Sequence, residues 1–127
     1  MKNLVLLFLI TFSFRAFACS PVDSVYRKDQ TLLKHFFEYA NKKEIAKLPI
    51  NEKVVAIGRY FLETPYVGGT LDINPQEELV VNLREFDCVT FVDNVIALAR
   101  LDKYEEQSIP QFQKNLQEIR YRNGKIV

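Results

Sequence analysis

Phe86-Asp87-Cys88-Val89-Thr90-Phe91-Val92 sets a thiol at the opening of an apolar run that continues through Val95, Ile96, Leu98 and Ala99. The pattern predicts a helix. Asp87 is a good N-cap, Phe86 and Phe91 stand at the two positions of a hydrophobic staple, and only Asp93, Asn94 and Arg100 interrupt the apolar residues. A helix apolar on most of its circumference is normally the central helix of a domain, covered on several sides. Its first turn offers partial positive charge and unpaired N–H groups, which favour the thiolate of a cysteine placed there. Cys88 is therefore a candidate nucleophile, with a small buried hydrophobe as the bland alternative.

Working outward, Glu63 to Gln76 holds two adjacent glycines and two prolines, which marks a loop able to bring backbone close to a ligand. Tyr66 lies within it. Glu78 to Leu83, with Val80 and Val81 at its centre, suits a short buried strand or extended segment. Arg84-Glu85 then turns the chain into the cysteine helix. That pair is either a solvated or salt-bridged corner, or Arg84 receives a carboxylate, for which a guanidinium is suited.

The other elements are packing helices. Thr31 to Lys43 carries Leu32, Leu33, Phe36, Phe37 and Ala40 at helical spacing, and Lys47-Leu48-Pro49 closes it. Asn51 is expected to cap a second helix with Val54, Val55, Ile57 and Phe61 on its apolar face. Ser108 and Gln111 read as a capping box for a last helix bearing Phe112, Leu116 and Ile119, with Asn123-Gly124 as its stop. Lys125-Ile126-Val127 reads as the first step of a strand.

At 127 residues, 48% hydrophobic and 26% charged, the chain has room for one globular domain at most. Met1 to Ala18 reads as an export signal: Lys2, then an apolar stretch from Leu4 to Phe14 too short to span a bilayer, then Ala16-Phe17-Ala18 as a small-x-small cleavage site. Cys19 directly after it leaves two readings open, lipidation with a membrane tether or ordinary cleavage. Either puts the mature protein in the cell envelope or periplasm. A Cys19–Cys88 disulfide is the weaker expectation, because Cys19 would sit at a new terminus or carry lipid. Without Lys2 and Arg15 the balance is 15 basic to 16 acidic residues, with no basic stripe, so nucleic acid is not expected as a partner.

Phe86-Asp87-Cys88 and, upstream, Thr64-Pro65-Tyr66-Val67-Gly68-Gly69-Thr70 resemble the cysteine motif and the Pro-Tyr-x-x-Gly segment of NlpC-type, papain-like cell-wall hydrolases. The phrase from Phe61 to Leu71, leading into Leu79-Val80-Val81-Asn82-Leu83-Arg84 and Asp87-Cys88, resembles more closely the N-acetylmuramoyl-L-alanine amidase-like branch. The likeness runs from about Asn51 to Val127. It implies an α+β papain-like fold, with residues 19–50 a helical N-terminal segment and 51–127 the front part of the catalytic domain. Cys88 would be the catalytic nucleophile, and Tyr66, Arg84 and Asp87 the substrate-binding residues. Arg84 would meet the carboxylates of a stem peptide.

The implied reaction is hydrolysis of the amide between the lactyl group of N-acetylmuramic acid and L-alanine in peptidoglycan or muropeptides. No cofactor or metal is expected, since one histidine cannot build an ordinary zinc site. The alternatives are an endopeptidase cutting between D-glutamate and the diamino acid, or a non-catalytic muropeptide-binding or remnant protein. The family's histidine follows the cysteine on a sheet strand, whereas the single histidine here, His35, precedes it on an amphipathic helix and reads as a surface residue. The expectation is thus a truncated domain that lacks most of its sheet and its base, exposes apolar surface, and when complete is a monomer.

Overall fold

The computed structural model describes residues 21–126, with side chains from Arg27 onward, so the readings on Met1–Ala18 and Cys19 lie outside the described residues. Among the described residues, four helices carry the fold: α1 (Pro21–Lys42), α2 (Ile50–Tyr60), α3 (Cys88–Ala99) and α4 (Ile109–Arg120). Short 3-10 turns at Ile45–Lys47, Glu106–Ser108 and Arg122–Gly124 join or end them. Among the described residues there is no strand. A single isolated parallel bridge pairs Tyr66 with Phe86.

The helices share one core. Phe36 of α1 packs edge-on against Tyr60 at 5.1 Å and Tyr104 at 5.6 Å between ring centroids. A second line of rings runs from Phe36 to Phe61 (5.4 Å), Phe61 to Phe86 (5.6 Å) and Phe86 to Phe91 (5.9 Å). These contacts, edge-to-face except for the tilted Phe36–Phe61 pair at 35°, fix relative orientation as well as burying area. They join α1 and the end of α2 to the first turn of α3, and so hold the cysteine helix by its front end.

Several elements differ from the sequence reading, each for a local reason. Helix α1 extends upstream of Thr31 and is described from Pro21. Helix α2 is entered through Pro49 in extended conformation, so Asn51 lies inside the first turn and caps nothing. Val55 is 53% exposed and leaves the apolar face to Val54, Ile57 and Phe61. Ser108 and Gln111 form no capping box: Ser108 is helical (φ −83°, ψ −9°) within the preceding 3-10 turn, and Gln111 donates to Asn115 Oδ1 instead. The stop expected at Asn123-Gly124 comes earlier: α4 ends at Arg120 with Tyr121 extended (φ −115°, ψ 132°), and the left-handed Asn123 and Gly124 (φ 57° and 65°) belong to the 3-10 turn that follows. The expected strand at Glu78–Leu83 is an extended segment without a sheet partner, and Lys125-Ile126 forms no strand.

Helix α3 is half covered. Val95, Ala97, Leu98 and Ala99 are buried, while Val89, Val92 and Ile96 on its outer stripe are 58%, 49% and 37% exposed. The apolar surface expected from the sequence is therefore there, on the helix that carries the thiol. No helix among the described residues is long and apolar enough to cross a membrane.

Candidate functional site

Cys88 is the first residue of α3, an exposed and free thiol. The helix start is built by its own sequence. Asp87 is the N-cap in extended conformation (φ −99°, ψ −177°), and its Oδ1 accepts from Thr90 N–H at 2.8 Å and from the Thr90 hydroxyl at 2.9 Å. Thr90 Oγ1 in turn accepts from Asp87 N–H at 2.9 Å, which closes a capping box with Thr in the place usually held by Glu or Gln. Phe86 and Phe91 meet across the cap as the staple requires.

The first turn of a helix leaves N–H groups with no intrahelical partner. Phe91 N–H makes the first helical bond, to Asp87 C=O at 3.0 Å. Thr90 N–H is taken by the Asp87 carboxylate, which also draws on Val89 N–H. Cys88 N–H remains beside its own sulfur as the donor that the cap does not consume.

These bonds hold the Asp87 carboxyl below the usual aspartate value of 3.8. The Thr90 N–H contributes most, followed by the Thr90 hydroxyl, Val89 N–H and the Arg120 guanidinium, all against a desolvation that raises it. A depressed acid stabilises the folded state above its unfolded pKa and loses that contribution as pH falls through the folded value. Asp87→Ala is expected to cost about 1 kcal/mol at neutral pH. In urea titrations, that difference from the parent should shrink as pH drops below 3.8. A difference that persists unchanged to pH 2 would show that the carboxylate's charge contributes nothing.

The glycine-bearing loop is tied directly to this helix start. Phe86 N–H donates to Pro65 C=O at 3.0 Å and Val67 N–H donates to Phe86 C=O at 2.9 Å, so Tyr66 is clamped by backbone two residues before Cys88 in pairing order. Its side chain is 75% exposed. Gly69 carries φ 75°, a conformation a side chain would strain. The sequence therefore brings Tyr66, Asp87 and Cys88 into one neighbourhood through a single pair of backbone bonds.

Arg84 is not paired with Glu85. Its Nε donates to Asp29 Oδ1 at 3.2 Å, and Asp29, 3% exposed, also accepts Leu83 N–H at 2.9 Å. Asp29 is a partner the sequence reading missed, and no local pattern points to it across 55 residues. Arg120 is another: it donates to Asp93 Oδ2 of α3 at 3.1 Å and to the Val80 carbonyl. Thr90 could have been found, since Asp-x-x-Thr has capping-box spacing. His35 is exposed on α1, as expected. Among the described residues, no three or more His, Cys, Asp or Glu side chains gather as a metal site would need.

A model of the AmiA-like family, described as N-acetylmuramoyl-L-alanine amidase-like, matches residues 56–127. Among solved structures, the chain is similar to an N-acetylmuramoyl-L-alanine amidase from Bacteroides uniformis ATCC 8492 at 41% identity and TM-score 0.56, over 61% of this chain and 32% of that one. It is similar to a putative xylanase from Bacteroides fragilis at 42% identity and TM-score 0.53, over 57% and 31%. Protein LPG0564 from Legionella pneumophila str. Philadelphia 1 matches over 80% and 32% with TM-score 0.63, and at 24% identity it shows the fold alone. No curated protein matches. The chain spans about a third of the length of these solved structures.

Proposed function

The chain belongs to the N-acetylmuramoyl-L-alanine amidase-like family, and from that premise we propose that it carries the nucleophile of a cell-wall amidase with an NlpC-type, papain-like catalytic design. The observation that carries this reading is Cys88 itself, an exposed thiol at the first position of a capped helix, with the Pro65–Val67 backbone clamped against that helix start. Amidase relatives at about 40% identity are consistent with it.

In this reading the Cys88 thiolate attacks the lactyl carbonyl of N-acetylmuramic acid, forming a C–S bond and a tetrahedral oxyanion. Cys88 N–H, left over by the cap, is the nearest main-chain donor to that oxygen, and Tyr66 flanks it. Collapse breaks the C–N bond, and the L-alanine nitrogen takes a proton from solvent and leaves as the amine. Water then attacks the thioester, giving a lactyl carboxylate and the free thiol. Cys88 thus supplies both the nucleophile and an oxyanion donor, and His35 has no role as base. In this reading the protein acts in the cell envelope, as the signal read on Met1–Ala18 implies. Cys19 there is either a lipid tether or the start of the mature chain.

The test is to incubate the full-length protein with a disaccharide-tripeptide muropeptide and weigh the products. The expected pair is a disaccharide ending in a lactyl carboxylate and an intact free tripeptide. Release of the diamino acid alone would overturn the bond assignment in favour of an endopeptidase. Binding without turnover would leave only a muropeptide-binding protein.

A further inference from the structure

Two grooves meet at Arg84. One, of 420 Å³, is lined by Thr64 and Pro65 of the clamped loop together with Tyr60, Phe61, Leu32 and Arg84. The other, of 380 Å³, is lined by Arg27, Lys28, Thr31, Leu32 and His35 of α1, again with Arg84. Leu32 and Arg84 belong to both, so the surface runs without a break from the loop beside Cys88 to the outer face of α1. Lys28, Thr31, Leu32 and His35 are spaced i, i+3, i+4, i+7 and form one stripe of that helix.

On the α1 side the charged residues lining this surface are all basic. Leu32 gives an apolar floor, and Lys28, His35 and Arg84 stand around it. Among the described residues, Lys28 and His35 have no ion-pair partner. The acidic groups on this side are Asp29, buried and already committed to Arg84 and Leu83, and Glu63, which lines the loop-side groove. Arg84 is held through its Nε by the two oxygens of a buried carboxylate, which fixes the guanidinium plane and leaves its Nη edge as the part suited to receive a second carboxylate.

We infer that this groove is a subsite for the free carboxylates of a peptide substrate, with Lys28 and His35 of α1 completing what Arg84 begins. The inference rests on the amidase reading for the direction in which the substrate lies. Arg84 is four residues before Cys88, which places their Cα atoms at most about 14 Å apart. An extended peptide advances about 3.3 Å per residue, so carboxylates on the second to fourth residues of the leaving peptide fall within reach of Arg84 and then of α1. Helix α1 lies outside residues 56–127, the stretch the family model matches.

The test uses a ligand that needs no cleavage. Calorimetry on the full-length protein compares L-alanyl-γ-D-glutamyl-diaminopimelate with the same peptide amidated at its glutamyl and terminal carboxylates. The acid form is expected to bind about tenfold more tightly, the factor a charge-assisted hydrogen bond supplies. In a Lys28→Glu/His35→Gln variant, which leaves the Arg84–Asp29 pair intact, the two forms should bind within about threefold of each other. Equal affinities in the parent protein, or an undiminished preference in the variant, would overturn the inference. Preference without turnover of intact muropeptide would remove the amidase reading and leave the subsite standing. Turnover without preference would do the reverse.

Discussion

Alanine at Cys88 is expected to lower the amidase rate of the full-length protein by about 10⁴-fold or more, the size of effect seen when a covalent nucleophile is deleted. Serine should be nearly as inactive, because the hydroxyl keeps the position and loses the easily formed anion. The thiol is exposed and makes no packing contact that the fold needs, so either variant should melt within about 2 °C of the parent. Iodoacetamide should inactivate the parent in step with a single adduct on the peptide containing Cys88, which digestion separates from any adduct on Cys19. A Cys88→Ala protein that retained a tenth of the rate would remove the cysteine mechanism altogether. The variant's unchanged melting point is what makes that outcome decisive.

The part of the site that carries this prediction was legible because it is local. The N-cap at Asp87 and the staple of Phe86 and Phe91 are set by residues within five positions of one another, the apolar run after Cys88 is one continuous helical stretch, and each is present in the fold. The Pro-Tyr loop was legible as a loop, but its clamp onto Phe86 was not, since a parallel bridge across 20 residues leaves no mark on either segment. Ser108 shows the opposite failure. The spacing Ser-x-x-Gln is right, yet a 3-10 turn from Glu106 had already fixed Ser108 in helical geometry, which removes the extended backbone that a cap requires. Of the two readings of Glu78–Leu83, strand or extended segment, the strand is not formed: the Val80 carbonyl meets Arg120 and no strand lies alongside among the described residues. Long-range ion pairs were invisible for a simple reason. Asp29–Arg84 and Asp93–Arg120 join segments 55 and 27 residues apart, and neither partner's neighbours announce the other.

That second pair carries the largest expected loss of stability. Arg120 ends α4 and Asp93 lies on the second turn of α3, with side chains only 7% and 13% exposed. Arg120 also reaches the Val80 carbonyl, so one guanidinium ties α3, α4 and the extended segment that leads into the cysteine helix. Removing one partner of such a pair strands the other charge away from water, and Asp93→Ala is expected to cost about 3 kcal/mol, or roughly 10–20 °C in melting temperature for a domain of this size. Arg120→Met should cost a similar amount, and it should also raise the acid limb of the Asp87 titration, because Arg120 helps hold that carboxyl down. The double variant Asp93→Leu/Arg120→Met leaves no orphaned charge and should recover most of the loss, since apolar replacements of similar volume often match a buried ion pair. Denaturant titration of the four proteins closes the cycle. If the double variant is destabilised by the sum of the two single losses, the pair is not coupled. Arg120 would then act through the Val80 carbonyl alone.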